Sequence, residues 1–169
     1  MLAHMDPITL EEIRQVKYRY LRCLDLKLWD DFADVFTEDA VAEYDTPLLR
    51  DPLRLEGRDA IVGYMRANLG PGMITAHLAG HPEIEVDGDR ATGSWCLQDT
   101  VVATEYRLLI YGSAYYTDVY RRCPDGRWRV SRTGHERTYE FSVSFDDLPS
   151  LRFGANRWAP PAAGPLTIS

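Results

Sequence analysis

Lysine is scarce in this sequence, and long apolar runs are missing. The chain of 169 residues has 17 arginines but only two lysines, Lys17 and Lys27, and its net charge is −7. This acidic balance disfavours a nucleic-acid partner, because binding to phosphates needs a basic face. No apolar run approaches the roughly 20 residues of a membrane span, and the N-terminal residues lack the charged-then-apolar pattern of a signal peptide. The sequence therefore predicts a soluble, cytoplasmic protein without a membrane partner.

Cysteine is also rare, and the sequence lacks the common cofactor and metal motifs. The three cysteines are Cys23, Cys96 and Cys123. They suggest buried thiols rather than a disulfide framework or a zinc site, since their number is odd and no two lie close together. His77 and His81 have the spacing of a metal pair on a helix, but Gly80 and Pro82 disfavour a helix there. Phosphate-binding glycine loops, Gly-x-Ser-x-Gly and His-Glu-x-x-His are missing as well, so we expect no metal or other cofactor.

The first part of the chain has the apolar period of helices. Residues 10–25 predict a first helix, and Thr9 with Glu12 fits a capping box at its start. Its apolar stripe consists of Ile13, Val16, Tyr20 and Leu24. Residues 28–36 predict a second, shorter amphipathic helix.

The segment after the second helix is expected to be a strand, a loop and a third helix. Residues 40–44 predict a first short strand, and residues 45–56 predict a loop with two prolines. The third helix begins after Gly57, and the sequence Gly-Pro-Gly at 70–72 ends it.

From residue 73 onward the apolar period changes to two. Turn signals follow at Asp87-Gly88 and at 124–126 (PDG). Three helices followed by about four long antiparallel strands predict an α+β fold. We expect one domain over residues 1–146 and an irregular extension over residues 147–169 that covers part of the domain or contacts a partner subunit.

The main anomaly is a carboxylate on a predicted core face. Alternate residues of the strand over 91–102 share one face, namely Ala91, Gly93, Trp95, Leu97, Asp99 and Val101. Burial of Asp99 needs a local reason, because an unpaired buried carboxylate is costly. Two interpretations stay open: Asp99 is a structural partner for an arginine or a backbone amide, or it is a carboxylate of a binding pocket.

Three further polar residues are candidates on similar grounds. Tyr20 lies in the middle of the first helix's apolar stripe, so its hydroxyl should point inward and need a partner. Asp25, at the end of that helix, either caps a helix or approaches the same cavity. His77 lies in an otherwise uncharged strand and suits proton transfer, although a lone buried histidine is often only hydrogen-bonded.

Two arginines near the end of the domain compete for an inward position. Arg132 and Arg137 have opposite parity, and Gly134 between them is suited to a bulge that exchanges the faces of the strand. Parity alone therefore does not decide which arginine points inward.

Several segments together resemble the SnoaL-like family of the nuclear-transport-factor-two-like (cystatin-like) superfamily. The resemblance rests on segments that follow each other in the same order, namely 17–25 (KYRYLRCLD), 36–40 (FTEDA), 57–61 (GRDAI), 75–77 (TAH), 82–91 (PEIEVDGDRA) and 125–130 (DGRWRV). Within the superfamily, the sequence resembles bile acid 7α-dehydratase and, more distantly, scytalone dehydratase. The fold itself hosts many functions.

The resemblance implies a cone-shaped roll in which three helices pack in the concave face of a curved, mainly antiparallel sheet. It implies that Tyr20, Asp25, His77 and Asp99 occupy the positions of the catalytic residues of the dehydratases. It also implies that the catalytic arginine near the end of the domain is Arg137, in 133–139 (TGHERTY), with Arg132 as the alternative. It also implies an apolar pocket for a hydrophobic substrate and a homo-oligomer, a dimer or trimer, formed through the sheet. The expected substrate-binding residues are Tyr64, Met65, Trp95 and Leu97.

These residue types suit elimination of water from a hydroxy-ketone, or isomerisation, without a cofactor. We expect His77 to be the proton shuttle, oriented by Asp99, and Tyr20 to donate to a substrate oxygen. Asp25 would orient Tyr20 or act as an alternative base, and Arg137 would fix the ionisation of the carboxylates. The alternatives are an epoxide hydrolase or polyketide cyclase on the same fold, or a non-catalytic small-molecule-binding or assembly module.

Overall fold

The computed structural model describes residues 6–44 and 53–159 of the chain. In chain order the elements are α1 (Pro7–Leu26), α2 (Trp29–Asp34), β1 (Phe36–Tyr44), β2 (Leu53–Glu56), α3 (Arg58–Asn68), β3 (Met73–Asp87), β4 (Arg90–Ala103), β5 (Leu108–Arg122) and β6 (Trp128–Ser144). A short 3₁₀ turn at Phe145–Asp147 follows β6. None of the helices in these ranges is long and apolar enough to cross a membrane.

Helix α1 begins earlier than predicted, because Asp6 caps it. The Asp6 carboxylate accepts hydrogen bonds from the N–H groups of Ile8 and Thr9, at 3.1 and 3.2 Å. The Thr9 hydroxyl donates to the same carboxylate at 3.0 Å. The capping box expected at Thr9 and Glu12 is therefore wrong: a carboxylate followed by Pro7 already satisfies the free N–H groups of the first turn.

The six strands form one mixed sheet in the order β2-β1-β6-β5-β4-β3. All neighbouring pairs are antiparallel except β1 and β6, which run parallel. Three helices and this curved sheet confirm the predicted α+β roll. The predicted turns at Asp87-Gly88 and at 124–126 join β3 to β4 and β5 to β6.

Two strand boundaries differ from the prediction. Strand β1 begins at Phe36 rather than at residue 40, and residues 53–56 form strand β2 rather than a loop. Pairing with β1 explains β2, since Leu53 and Leu55 lie opposite Tyr44 and Ala42 and pack against the core. The remainder of the predicted loop, residues 45–52, lies outside the described residues.

The core lies between α1 and the concave face of the sheet. The predicted apolar stripe of α1 is buried, and so are alternate residues of β4 from Ala91 to Asp99. The predicted core face of β4 is therefore confirmed, including its carboxylate. Cys23 is buried as expected, whereas Cys96 and Cys123 are partly exposed.

The chain after β6 forms neither a helix nor a strand over residues 148–159. Within this segment the Trp158 ring centre lies 5.1 Å from the ammonium group of Lys27, at the end of α1. The segment therefore runs back toward the helix end that carries Asp25. The last ten residues, 160–169, with three prolines of the predicted extension, lie outside the described residues.

Candidate active site

Asp25 joins the end of α1 to strand β3. Lys27 adopts a left-handed conformation with a φ of 57°, and the N–H of Leu28 donates to the carbonyl of Cys23 at 2.8 Å, so the helix stops just after Asp25. The carboxylate of Asp25 then accepts three hydrogen bonds from β3. They come from the Thr75 hydroxyl at 2.8 Å, the His77 N–H at 2.9 Å and the His77 Nδ1 at 2.6 Å.

The contact with Asp25 determines how the neutral His77 ring can act. An ionised carboxylate only accepts hydrogen bonds, so Nδ1 must carry the proton that the two groups share. The lone pair of Nε2 is then free to take up a proton. The His77 side chain is 11% exposed and that of Asp25 is 20% exposed, so the pair lies at the edge of the core and not fully inside it.

The expected pairing of His77 with Asp99 is wrong. The two residues are direct neighbours across β3 and β4, but Asp99 binds Arg137 instead. Both terminal nitrogens of Arg137 contact the two carboxylate oxygens, with Nη2 at 2.8 Å from Oδ2. The planar guanidinium matches a carboxylate in this two-pronged way, which explains the choice of partner.

The arginine also controls the ionisation of Asp99. Burial raises the pKa of the Asp99 carboxyl, but the hydrogen bonds and charge of Arg137 outweigh burial, and the net pKa lies below the usual value. Asp99 is therefore an anion at neutral pH. This confirms the first sequence interpretation, in which Asp99 is the structural partner of an arginine, whereas a role in a binding pocket stays a prediction.

Gly112 makes room for the arginine–carboxylate pair. It lies opposite Asp99 on β5, and a Cβ atom built there would be 2.7 Å from Nη1 of Arg137 and 3.1 Å from Oδ1 of Asp99. A second carboxylate, that of Glu140, is 3.2 Å from Nε of Arg137. Arg137 thus bridges two acidic side chains on the concave face.

Arg137 is the inward arginine, and Arg132 is not. The side chain of Arg132 is 57% exposed and pairs with Glu43, whereas that of Arg137 is 14% exposed. The bulge expected at Gly134 is absent, since β6 keeps its register with β5 from Arg132 to His135. One register shift lies on each side of this segment, and the two shifts leave Ser131 and Thr138 outside the pairing.

Tyr20 lies deeper than the His77–Asp25 pair. Its hydroxyl is 2.9 Å from the hydroxyl of Tyr44, and the residue is 1% exposed. Burial raises the pKa of Tyr20 well above the ordinary value, so it is a neutral phenol. The suggestion that Asp25 orients Tyr20 is wrong, because Asp25 is engaged by Thr75 and His77.

The expected substrate-binding residues differ in how they are placed. Trp95 and Leu97 are core residues with 0% and 1% exposure, and the Trp95 N–H donates to the Tyr120 hydroxyl at 3.0 Å. Tyr64 and Met65 lie on α3 and are partly exposed. Nothing in these contacts assigns a ligand to any of the four, and their role stays a prediction.

Two buried polar features of the concave face were missed in the sequence. The first is an ion pair between Lys17 and Asp118, whose side chains are both 0% exposed. The sequence pattern could have indicated this buried charge, because Lys17 is one of only two lysines and lies within the apolar stripe of α1. The second is His135, which lies two residues before Arg137, in the segment already quoted for the arginine.

Among the described residues, no group of three or more His, Cys, Asp or Glu side chains could hold a metal ion.

The fold and this arrangement place the chain in the nuclear-transport-factor-two-like class. The profile of the SnoaL-like domain matches residues 9–134, and the chain belongs to that family. Uncharacterized proteins of Mycobacterium tuberculosis and Mycobacterium bovis are 30% identical over 131 residues, which cover 76% of this chain and 85% of theirs.

Solved structures show the same fold. A scytalone dehydratase-like protein of Novosphingobium aromaticivorans has 20% identity and a TM-score of 0.70, with 79% of this chain and 87% of that chain covered. A hexachlorocyclohexane dehydrochlorinase of Novosphingobium barchaimii has 18% identity and a TM-score of 0.71, with 91% and 96% covered. A Mycobacterium tuberculosis protein of unknown function has 26% identity and a TM-score of 0.66, with 80% and 78% covered.

Proposed function

We propose that this protein is a cofactor-independent acid–base enzyme, a dehydratase or isomerase that acts on a hydrophobic hydroxy-ketone such as a steroid or polyketide. The observation that carries the proposal is the 2.6 Å contact between His77 Nδ1 and the Asp25 carboxylate. A carboxylate in this position holds the imidazole in one tautomer and stabilises the imidazolium that forms when Nε2 takes up a proton. Two structural neighbours have names that denote loss of water or of hydrogen chloride, which supports a lyase.

The proposed elimination needs one base, which takes up a proton from carbon and later gives it to the leaving hydroxyl. Nε2 of His77 removes a proton from the carbon next to the substrate carbonyl, and an enolate forms. The bond from the β-carbon to its hydroxyl then breaks, the hydroxyl takes the proton from Nε2, and it leaves as water. A conjugated enone remains, and no group is oxidised or reduced. In an isomerisation the same proton returns to a different carbon.

The developing charge on the carbonyl oxygen needs a hydrogen-bond donor. Tyr20 and Tyr44 share one hydrogen bond between two hydroxyls, so only one of their two O–H groups donates within this bond, and the other is the proposed donor to the substrate oxygen. Both pKa values are raised well above the ordinary value by burial, which keeps both phenols protonated. Asp99 lies opposite His77 on the neighbouring strand, so its ion pair with Arg137 holds a fixed charge pattern beside the proposed base.

The proposal is tested with a β-hydroxy ketone whose dehydration produces a new ultraviolet absorption, 4-hydroxy-4-phenylbutan-2-one. We expect the protein to accelerate loss of water, and His77→Asn to lower the rate about 10²- to 10⁴-fold, the usual contribution of a general base. His81→Asn is the matched control, because His81 is an exposed histidine of the same strand. Deuterium exchange at the α-carbon in D₂O separates an isomerase, which exchanges without losing water.

Two results would contradict the proposal. One is an equal rate in the wild type and in His77→Asn. The other is neither elimination nor exchange above the buffer rate, with this probe and with a steroid-sized β-hydroxy ketone.

One observation favours a second candidate, an epoxide hydrolase. Arg137 lies between the carboxylates of Asp99 and Glu140, and a carboxylate–arginine–carboxylate set can activate both water and an epoxide oxygen. Water labelled with oxygen-18 distinguishes the candidates, because hydration of an epoxide introduces the label into a diol, whereas elimination introduces none.

A further inference from the structure

Thr75 lies on the free edge of the sheet, where the end of α1 meets β3. Strand β3 is an outermost strand of the six that the structure describes, next to β4. The outer side of an edge strand has backbone groups that no neighbouring strand binds. Two residues at the end of α1 bind such groups: Lys27 Nζ donates to the carbonyl of Met73 at 2.9 Å, and the Asp25 carboxylate accepts from the N–H of His77 at 2.9 Å. Asp25 therefore approaches His77 from the edge of the sheet.

One carboxylate reaches both Thr75 and His77. The two residues are two positions apart on β3, so their side chains lie on the same face of the strand. Oδ1 of Asp25 accepts from the Thr75 hydroxyl at 2.8 Å and lies 2.6 Å from Nδ1 of His77. Oδ2 accepts from the His77 N–H. The Thr75 hydroxyl is thus bound to the same oxygen atom as the His77 ring.

The contact with Thr75 is the part of this arrangement that does not depend on His77. Of the three hydrogen bonds that Asp25 accepts from β3, two come from His77, the residue that the carboxylate has to orient. The Asp25 side chain is 20% exposed, so water competes for its oxygens, whereas Thr75 is 7% exposed. The branched Cβ makes the threonine side chain stiff, so its hydroxyl is a donor in a fixed position.

We propose that Thr75 is a positioning residue that acts through Asp25: its hydroxyl fixes the carboxylate so that Oδ1 holds the proton on Nδ1 of His77. The inference rests on the proposed function, because it assumes that His77 is the base. Thr75 exchanges no proton with the substrate. Loss of its hydroxyl should therefore slow the chemical step and leave substrate binding unchanged.

The kinetic test uses Thr75→Val, which removes the hydroxyl and keeps the branched side chain. With 4-hydroxy-4-phenylbutan-2-one as the substrate, we expect kcat to fall about tenfold at an unchanged KM, the effect of one hydrogen bond to a charged group. Thr75→Ser keeps a hydroxyl and should restore most of the wild-type rate. Thr104→Val is the matched control, because the Thr104 hydroxyl also donates a hydrogen bond, to the carbonyl of Gly72 at 3.0 Å.

A spectroscopic test gives an answer that does not depend on turnover. Long-range ¹H–¹⁵N NMR gives the fraction of neutral His77 rings that carry their proton on Nδ1. We expect this fraction to fall in Thr75→Val and to recover in Thr75→Ser, because a ring without a fixed acceptor populates both tautomers. Thr104→Val should leave it unchanged. If Thr75→Val fails to fold, Thr75→Ala compared with Thr75→Ser isolates the hydroxyl in the same way.

The outcomes separate failure of this inference from failure of the proposed function. An unchanged Nδ1 fraction in Thr75→Val would overturn the role of Thr75, and so would a raised KM at an unchanged kcat. Equal losses in Thr75→Val and Thr75→Ser, or in Thr75→Val and Thr104→Val, would show a merely structural role and overturn it as well. If the Nδ1 fraction responds as expected but the wild type catalyses neither elimination nor exchange, the acid–base function is contradicted and the positioning of Asp25 by Thr75 stands. If the wild type is active and Thr75→Val matches it in both tests, the role of Thr75 is contradicted and the function stands.

Discussion

Burial gives His135 a different acidity from an ordinary histidine. The loss of solvent lowers its pKa most, the charges of Arg137 and Lys17 lower it further, and Asp99 opposes them. The result is a pKa of about 4, compared with 6.5 for an unperturbed histidine. This single residue should therefore make the stability of the protein depend on pH.

The sign of that dependence follows from proton binding. Above pH 6.5 the ring is neutral in both states. Between pH 6.5 and about 4 the unfolded chain binds a proton that the native ring does not. The free energy of unfolding therefore decreases as the pH is lowered through this range, by about 3 kcal/mol in total. Urea unfolding at about pH 7 and about pH 4.5 should show a smaller loss in His135→Phe than in the wild type. Equal losses would contradict the pKa assigned to this ring.

Gly112 illustrates how one missing side chain permits an ion pair. In Gly112→Ala the new Cβ would lie 2.7 Å from Arg137 Nη1, so the guanidinium must move from Asp99. We expect a loss of stability of about 1–3 kcal/mol, as for other overpacked positions. The pKa of the Asp99 carboxyl should rise, because Arg137 no longer lowers it, and NMR titration measures that rise.

Gly80→Ala is the control, since it is also a strand glycine and a Cβ there meets nothing within 4 Å. Its stability should change little. A similar loss of stability in both variants would show that the effect does not depend on Arg137.

At the scale of elements, one buried ion pair attaches α1 to the sheet. Lys17 Nζ is 2.8 Å from the Asp118 carboxylate on β5. The same carboxylate accepts hydrogen bonds from the hydroxyls of Tyr120 and Thr133, each at 2.7 Å. Burial lowers the pKa of Lys17, and the charge of Asp118 opposes that effect.

Removal of both partners of this pair should cost less than the sum of the two single removals. We expect Lys17→Met to lower the free energy of unfolding by about 3–5 kcal/mol, because it leaves a buried charge unpaired. The double variant with Asp118→Asn should lose less than the sum of the two single variants. Arg121→Met is the control, since the Arg121–Asp39 pair is on the surface and should be worth less than about 1 kcal/mol. Additive losses in urea unfolding would contradict this account.

Side-chain orientation could be predicted from the sequence where a strand keeps its register, and it could not where the register shifts. Parity placed Asp99 on the core face correctly, because β4 alternates without interruption from Ala91 to Asp99. It failed in β6, where Thr138 lies outside the pairing. Arg137 therefore points inward although Tyr139, two residues later, points outward.

Tertiary contacts explain the other failures. No pattern within β3 or β4 reveals that the partner of Asp99 is Arg137. Nor does any such pattern reveal that the partner of His77 is Asp25, about 50 residues away in sequence. The sequence thus indicated candidate residues, whereas the partner of each one depended on the fold.

At the scale of the whole molecule, the convex side of the sheet carries an exposed aromatic face. We define this aromatic face as Tyr111, Tyr139 and Phe141, whose rings lie side by side. Tyr139 is 45% exposed and Phe141 is 52% exposed. The rings of Tyr139 and Phe141 are nearly parallel, with their centres 6.4 Å apart. Contiguous exposed apolar patches of this kind mark interaction sites.

We propose that this face binds a second copy of the chain, in line with the oligomer implied by the family resemblance. Analytical ultracentrifugation should show a dimer or larger species for the wild type. The double variant Tyr139→Lys/Phe141→Lys should be monomeric, because it places charges in the centre of an apolar contact. Tyr106→Lys is the control, since Tyr106 is an even more exposed aromatic residue that lies in the turn after β4 and outside this face. A monomeric wild type at every concentration would contradict the proposal.

In the proposed function, Asp25 holds His77 with a proton on Nδ1 and leaves Nε2 free as the base. Long-range ¹H–¹⁵N NMR of the labelled protein tests it directly, with His77→Asn and His81→Asn used to assign the signals. We expect the neutral His77 ring to have its proton on Nδ1, and we expect Asp25→Asn, which can donate to Nδ1, to shift the ring toward the other tautomer. A wild-type His77 with its proton on Nε2 and a bare Nδ1 would show that Asp25 does not prepare His77 as the base.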